Sequence, residues 1–186
     1  YKIWRCKKNN INKLEEYISA KKETIIGGLS FLDNYIIRGE SSDAIPKIFI
    51  RNLNTNNEEE LIISDEIVGS PGVSLLQKDT NTTKVRISWE SMATPGKIYD
   101  YDILTKEKKL VKEVEIPSGH KISDYKVERI KAKSHDGRMI PITLVRRKDI
   151  ELNGKSKLLL YGYGAYKISI PVSFSPSKFC LVDQGI

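Results

Sequence analysis

The sequence predicts a mainly β chain in which the blades of a partial propeller are followed by a region built on a different plan. Three observations carry this reading. Short apolar strands separated by polar turns recur as far as Ile116, the pattern of antiparallel sheets. A shift of 50 positions lays Ile37 on Ile87, Glu40 on Glu90, Ser41 on Ser91, Phe49 on Tyr99, Leu53 on Ile103 and Thr55 on Thr105. A repeat of that length made of short strands is what propeller blades give, each blade being a four-stranded antiparallel sheet. After Ile116, the breaker cluster Pro117-Ser118-Gly119-His120 marks a linker, and the composition changes beyond it.

The elements follow in order. The chain starts on the strand-like Lys2-Ile3-Trp4-Arg5, as expected of a sequence entered partway through a fold. Leu14 to Ile18 fits a strand or a short helix. Thr24 to Gly28 and Leu29 to Leu32 are expected as strands, then Asn34 to Glu40, Lys47 to Leu53 and Glu60 to Ser64, the last two flanking the turn Asn54-Thr55-Asn56-Asn57. One blade is therefore expected from Leu29 to Ser64. The next runs from Val73 to Ile116, with strands Val73 to Leu76, Val85 to Glu90, Lys97 to Asp102 and Lys109 to Ile116. Past the linker, Tyr125 to His135 and Arg138 to Lys148 read as a hairpin around Asp136-Gly137, a pair that favours a type I′ turn. Ser177 to Gln184 reads as a helix capped by Ser177.

Composition narrows the function classes. With 186 residues, 39% hydrophobic and 30% charged, the chain has material for one domain or two small ones. No apolar run approaches the roughly 20 residues of a membrane span, and there is no signal-peptide core, so a cytoplasmic protein without a membrane partner is expected. Cys6 and Cys180 lie far apart without metal-ligand spacing. Both are expected as free thiols, with neither metal nor cofactor.

The net charge of +7 invites a polyanion. Ten basic residues against four acidic ones between Lys126 and Lys157 account for nearly all of it. There the charges alternate with Ile130, Ala132, Ile140, Ile142 and Leu144, which is the solvated face of strands, so no nucleic acid is expected.

The most informative stretch is Leu158-Leu159-Leu160-Tyr161-Gly162-Tyr163-Gly164-Ala165-Tyr166. A continuous apolar run from Leu158 to Tyr161 predicts a short strand buried on both faces. Gly162 and Gly164 would let the chain turn where it ends. In open α/β sheets that rim is where ligands bind, so the tyrosines are candidate site residues. The plainer alternative is that Tyr161, Tyr163 and Tyr166 are packing aromatics.

These residues resemble a known family. Tyr125-Lys126-Val127-Glu128-Arg129-Ile130, Ser134-His135-Asp136-Gly137, Ile140-Pro141-Ile142-Thr143-Leu144-Val145 and above all Leu159-Leu160-Tyr161-Gly162-Tyr163-Gly164 are similar to the prolyl oligopeptidase family of serine peptidases. Ser91-Met92-Ala93-Thr94-Pro95 with Tyr99-Asp100-Tyr101-Asp102 resembles its last propeller blade, and Leu181-Val182-Asp183-Gln184-Gly185 extends the likeness. Tyr166 leans towards the oligopeptidase B (protease II) branch, which cleaves after basic residues.

The resemblance implies the final blades over residues 1–116, a linker over 117–124, and the N-terminal part of an α/β-hydrolase peptidase domain over 125–186. It further implies that Tyr163 helps form the oxyanion hole and that Tyr166 lines the substrate pocket. A donor aimed at a developing oxyanion is worth ~3 to 4 kcal/mol of barrier, provided a nucleophile creates that charge.

No G-x-S-x-G elbow occurs in the 186 residues. The two histidines, His120 and His135, precede the place where it would fall, and the family order is Ser, then acid, then His. The expectation is a family member truncated before its triad and inactive alone. The alternatives are one half of a split peptidase completed by a separate chain, which would act on short peptides, and a non-enzymatic binding module. Uncovered apolar surface predicts marginal stability or aggregation.

Overall fold

The computed structural model describes residues 2–76 and 81–186. The chain is mainly β, in two compact units, residues 1–61 and 62–186. In the first unit β1 (Ile3–Lys7) and β2 (Asn10–Ile18) form an antiparallel hairpin. Leu14 to Ile18 is thus strand. β3 (Thr24–Leu32), β4 (Tyr35–Ser42), β5 (Ile45–Asn52) and β6 (Glu58–Glu60) make a four-stranded sheet in chain order. The two strands expected over 24–32 are one, with a register shift between Ile26 and Leu29 where Gly27 and Gly28 sit. The glycines produce an irregularity within the strand and do not break it.

In the second unit β7 (Ser70–Leu75), β8 (Lys84–Glu90), β9 (Lys97–Asp102) and β10 (Lys108–Glu113) repeat the plan, again in sequential order. Both blades are four-stranded, as the repeat required. The expected strand at Glu60 to Ser64 lies earlier, as β6, and ends at Glu60, although the Leu61 N–H still donates to Ile48 O at 2.8 Å. The buried positions of β8 are Val85, Ile87 and Trp89, every second residue. That is the alternation of a strand with one core face.

The 50-residue repeat reappears in the β5–β6 and β9–β10 turns. Backbone N–H to C=O bonds close them from Asn52 to Asn57 (2.9 Å) and from Asp102 to Glu107 (3.0 Å). Each carries a left-handed residue at the same place, Asn56 (φ 58°) and Lys106 (φ 63°).

Beyond the second blade, β11 (Tyr125–Lys133) and β12 (Met139–Arg147) form a two-stranded ribbon in which Tyr125 faces Arg147 and Lys133 faces Met139. Its turn is not type I′, which needs two left-handed residues. Gly137 alone is left-handed (φ 85°), and its N–H donates to Ser134 O at 3.0 Å. The loop is therefore longer than two residues, with the glycine closing a tighter inner turn. α1 (Pro176–Val182) starts one residue before the predicted helix. Ser175, not Ser177, stands at its cap position, and Pro176 fills the first turn, where a missing N–H costs nothing. Among the described residues no helix is long and apolar enough to cross a membrane.

Candidate functional site

The Leu158–Tyr166 stretch corrects the strongest local expectation. Leu158 to Tyr161 is not a strand, and its side chains are exposed, Leu160 at 75%. A strand buried on both faces exists only where neighbouring strands pair with it and layers cover it, and none among the described residues does so. The glycines are not used as expected either. Neither Gly162 nor Gly164 is left-handed, and a Cβ on either would meet nothing within 4 Å. The left-handed position falls on Tyr166 (φ 55°), in a 3₁₀ turn over Ala165–Lys167. Tyr163 is 50% exposed and Tyr166 88%, so among the described residues neither ring is packed into a pocket. The ammonium of Lys178, on α1, lies 5.5 Å from the Tyr161 ring centroid.

The built part of the second unit lies elsewhere, around His120. Its ring stacks on Tyr125 at 4.7 Å and 11° and takes the edges of Phe174 (5.1 Å) and Phe179 (4.6 Å). Tyr125 and Phe179 also meet edge to face at 4.7 Å. Ala93, Tyr125, Phe179 and Val182 form the buried cluster beneath, with Val127 and Val145 against it. His120 Nε2 lies 2.7 Å from the Ala93 carbonyl oxygen, which only accepts, so Nε2 carries the proton. His120, half-buried at the end of the linker cluster, is thus the centre of an aromatic cluster. No sequence signal reveals it, since the pair Phe179 and Val182, three apart on one helix face, marks only the apolar side of α1.

Charged groups frame this cluster. The Tyr125 hydroxyl donates to Asp183 Oδ1 at 2.6 Å. Burial, then that hydrogen bond, pushes the Tyr125 phenol up to about 12. Arg147 makes a two-pronged pair with Asp149 (2.8 and 2.6 Å) and lies 3.8 Å from Asp183. The hydrogen bond from Arg147 holds the Asp149 carboxyl below its usual range.

On the blade side, Ser91 Oγ accepts from the N–H groups of Ala93 and Thr94 (3.2 and 3.0 Å). The Thr94 hydroxyl donates to Glu66 Oε1 at 2.7 Å, and Trp89 Nε1 donates to the same oxygen at 3.1 Å. An open cleft of about 440 Å³ runs alongside, lined by Ile63 to Val68 and Trp89 and by Ile122, Tyr125 and Val127.

The basic segment resolves into a ribbon with a switch of faces halfway along. Near its base Tyr125, Val127 and Val145 pack inward while Lys126 and Arg146 both pair with Glu128 (2.7 and 3.0 Å). Towards the tip Ile130 and Ile140 share the other face with Ala132 and are exposed. Cys6 and Cys180 are free and exposed. Among the described residues no group of three or more His, Cys, Asp or Glu side chains is arranged to hold a metal ion.

Comparison with known proteins places this architecture. Residues 1–114 match the family model described as prolyl oligopeptidase, N-terminal beta-propeller domain. The chain belongs to the prolyl oligopeptidase family. It is 30% identical over 92% of its length to a dipeptidyl aminopeptidase BI of Pseudoxanthomonas mexicana, covering 23% of that protein. It is 25% identical over 100% of its length to a protease 2 of Moraxella lacunata, covering 26% of it. Among solved structures, oligopeptidase B from Trypanosoma brucei, with covalently bound antipain in a closed form, superposes with a TM-score of 0.82 at 26% identity over 92% of this chain and 26% of that one. The chain thus spans about a quarter of the length of the relatives it matches.

Proposed function

We propose that this chain is the propeller-blade and site-rim portion of a serine-type oligopeptidase that hydrolyses short peptides after basic residues. The observation that carries the reading is the family match over residues 1–114, read with the likeness to the Trypanosoma brucei oligopeptidase B. In this reading residues 1–116 are propeller, 117–124 the linker, and 125–186 the opening of an α/β-hydrolase domain. The exposed Leu158 to Tyr161 run supports the last assignment, because a run of that composition is stable as a strand only once neighbours flank it.

Tyr163 then donates to the oxyanion and Tyr166 lines the substrate pocket. The nucleophile comes from outside these residues, since none of them forms a G-x-S-x-G elbow. Short peptides are the proposed partners. The cytoplasm is the proposed compartment, in keeping with two free thiols.

The test is hydrolysis of a short fluorogenic arginine peptide by the purified chain, alone and mixed with a polypeptide that carries the elbow, acid and histidine. Hydrolysis is expected only in the mixture, and Tyr163→Phe should lower kcat there by roughly 10²-fold. Turnover by the chain alone, or a silent mixture, rejects the reading.

A further inference from the structure

We propose that His120 is a clasp that fastens the second blade to the polypeptide beyond residue 124, so that the two open and unfold as one body. The inference rests on the geometry of the second unit and does not require any peptidase activity.

Ala93 of the blade shares a buried cluster with Tyr125, Phe179 and Val182, and the His120 ring lies against that cluster. An open cleft of about 440 Å³ is lined by both parts, with Trp89 and Thr94 from the blade and Ile122 and Val127 from beyond it. Beside it, the His120 ring touches both at once. Its Nε2–H reaches the Ala93 carbonyl at 2.7 Å, while its faces and edges contact Tyr125, Phe174 and Phe179. A second tie, Ser70 Oγ donating to Val172 O at 2.7 Å, joins the same two parts.

Each end of the clasp is anchored. The Ser91–Thr94 loop is closed on itself by the Ser91 N–H to Thr94 O bond (3.1 Å) and by the two amides on Ser91 Oγ. Glu66 then ties Thr94 to Trp89 on β8. At the other end Tyr125 starts β11, Phe179 sits on α1, and Asp183 accepts the Tyr125 hydroxyl. A pull on either end is therefore transmitted to a whole element and not absorbed by a loop. The histidine has no cheaper equivalent. Phenylalanine would keep the stack but leave the carbonyl of the buried Ala93 without its partner, and a buried unpaired acceptor costs more than a hydrogen bond contributes.

The experiment compares two unfolding transitions in urea on the full chain carrying Trp4→Phe. Trp89 fluorescence reports the blade, and hydrogen exchange of the Asp183 and Gly185 amides reports α1. Before substitution of His120 the two transitions should coincide. In His120→Ala they should separate, α1 opening at lower urea while Trp89 stays folded. In His120→Phe, exchange at Ala93 and Thr94 should rise about tenfold while α1 changes little.

A His120→Ala chain whose midpoint falls with the two transitions still coincident would make His120 an ordinary core residue and overturn the proposal. So would transitions already separate with His120 in place. If His120→Ala does not fold, His120→Phe decides, and unchanged exchange at Ala93 and Thr94 overturns the clasp.

Discussion

Asp102 does in the second blade what Asn52 does in the first. Asn52 Oδ1 accepts the N–H groups of Asn54 (2.9 Å) and Thr55 (3.2 Å), and Asp102 Oδ1 accepts those of Leu104 (2.9 Å) and Thr105 (3.3 Å). Thr55 and Thr105 then accept the amides of Asn57 and Glu107. The repeat thus extends to the hydrogen bonds of a turn.

Asn52→Ala and Asp102→Ala should each lose about 1 kcal/mol in urea unfolding, since each frees two turn amides. Asp102→Asn should lose much less, because Asn52 shows that an amide oxygen suffices. The charge leaves one difference. Burial pushes the Asp102 carboxyl up, but the Leu104 amide and its other donors outweigh it and hold the carboxyl below its usual range. Its contribution is present above the unfolded value and lost as pH falls through the lowered folded one, so both Asp102 variants should be indifferent to acid at this position, and the Asn variant alone should combine that with a stability near the original.

In the first blade, Arg38 is 1% exposed and grips Glu58 with two bonds (2.7 and 3.0 Å) while its Nε donates to Glu40 (2.9 Å). Removing Arg38 leaves Glu58 with Arg51 alone (3.0 Å) and the buried Glu40 with Lys21 alone (3.1 Å). Arg38→Ala should therefore cost about 3 kcal/mol, the low end for taking one partner out of a buried ion pair, whereas Arg38→Met, which keeps the packing against Phe49, should cost less. The hydrogen bond from Arg38 also lowers the Glu58 pKa. Acid should therefore remove that contribution as pH falls through the depressed value, and Glu58→Gln should flatten the acid limb of a stability-against-pH curve.

Gly69 and Gly72 separate backbone crowding from side-chain crowding. A Cβ at Gly69 would lie 2.3 Å from the Trp89 ring and 2.7 Å from the Glu90 carbonyl, neither of which can move freely. At Gly72 the obstacle is the Ser88 hydroxyl at 2.3 Å, the end of a small side chain that can rotate away. Gly69→Ala should destabilise by about 3 kcal/mol, and Gly72→Ala by less than about 1 kcal/mol. Urea midpoints of the two variants check this, and equal losses would contradict it.

The blades were legible in the sequence because each strand carries its own alternation and each turn its own Asn, Asp or Thr. Lys97 to Asp102 was placed to the residue. Leu158 to Tyr161 misled for the converse reason. Apolarity states what a segment needs, and whether neighbours supply it is settled by residues far away in the chain. The His120 cluster was illegible because its members, at 93, 120, 125, 174 and 179, share no period. Only the fold brings a linker histidine under a blade carbonyl.

Tyr125 makes the alkaline side of that cluster measurable. Its phenol is raised from 10.0 to about 12, by burial first and by the hydrogen bond to Asp183 second. Unfolding releases the group to its ordinary value. Between these two values the unfolded chain holds fewer protons than the folded one, so stability that is fully present below 10.0 must fall as pH climbs towards about 12. Tyr125→Phe keeps the ring against His120 and Phe179 but has no proton to lose, so its stability should be flatter across that window, though lower at neutral pH by the lost bond to Asp183. Tyr101, also raised by burial, contributes a slope of the same sign, and the Tyr101→Phe, Tyr125→Phe double variant should be flatter still. Urea midpoints measured across the alkaline range in the three chains decide it, and parallel curves for the original chain and Tyr125→Phe would show that the Tyr125 proton is not held by the fold.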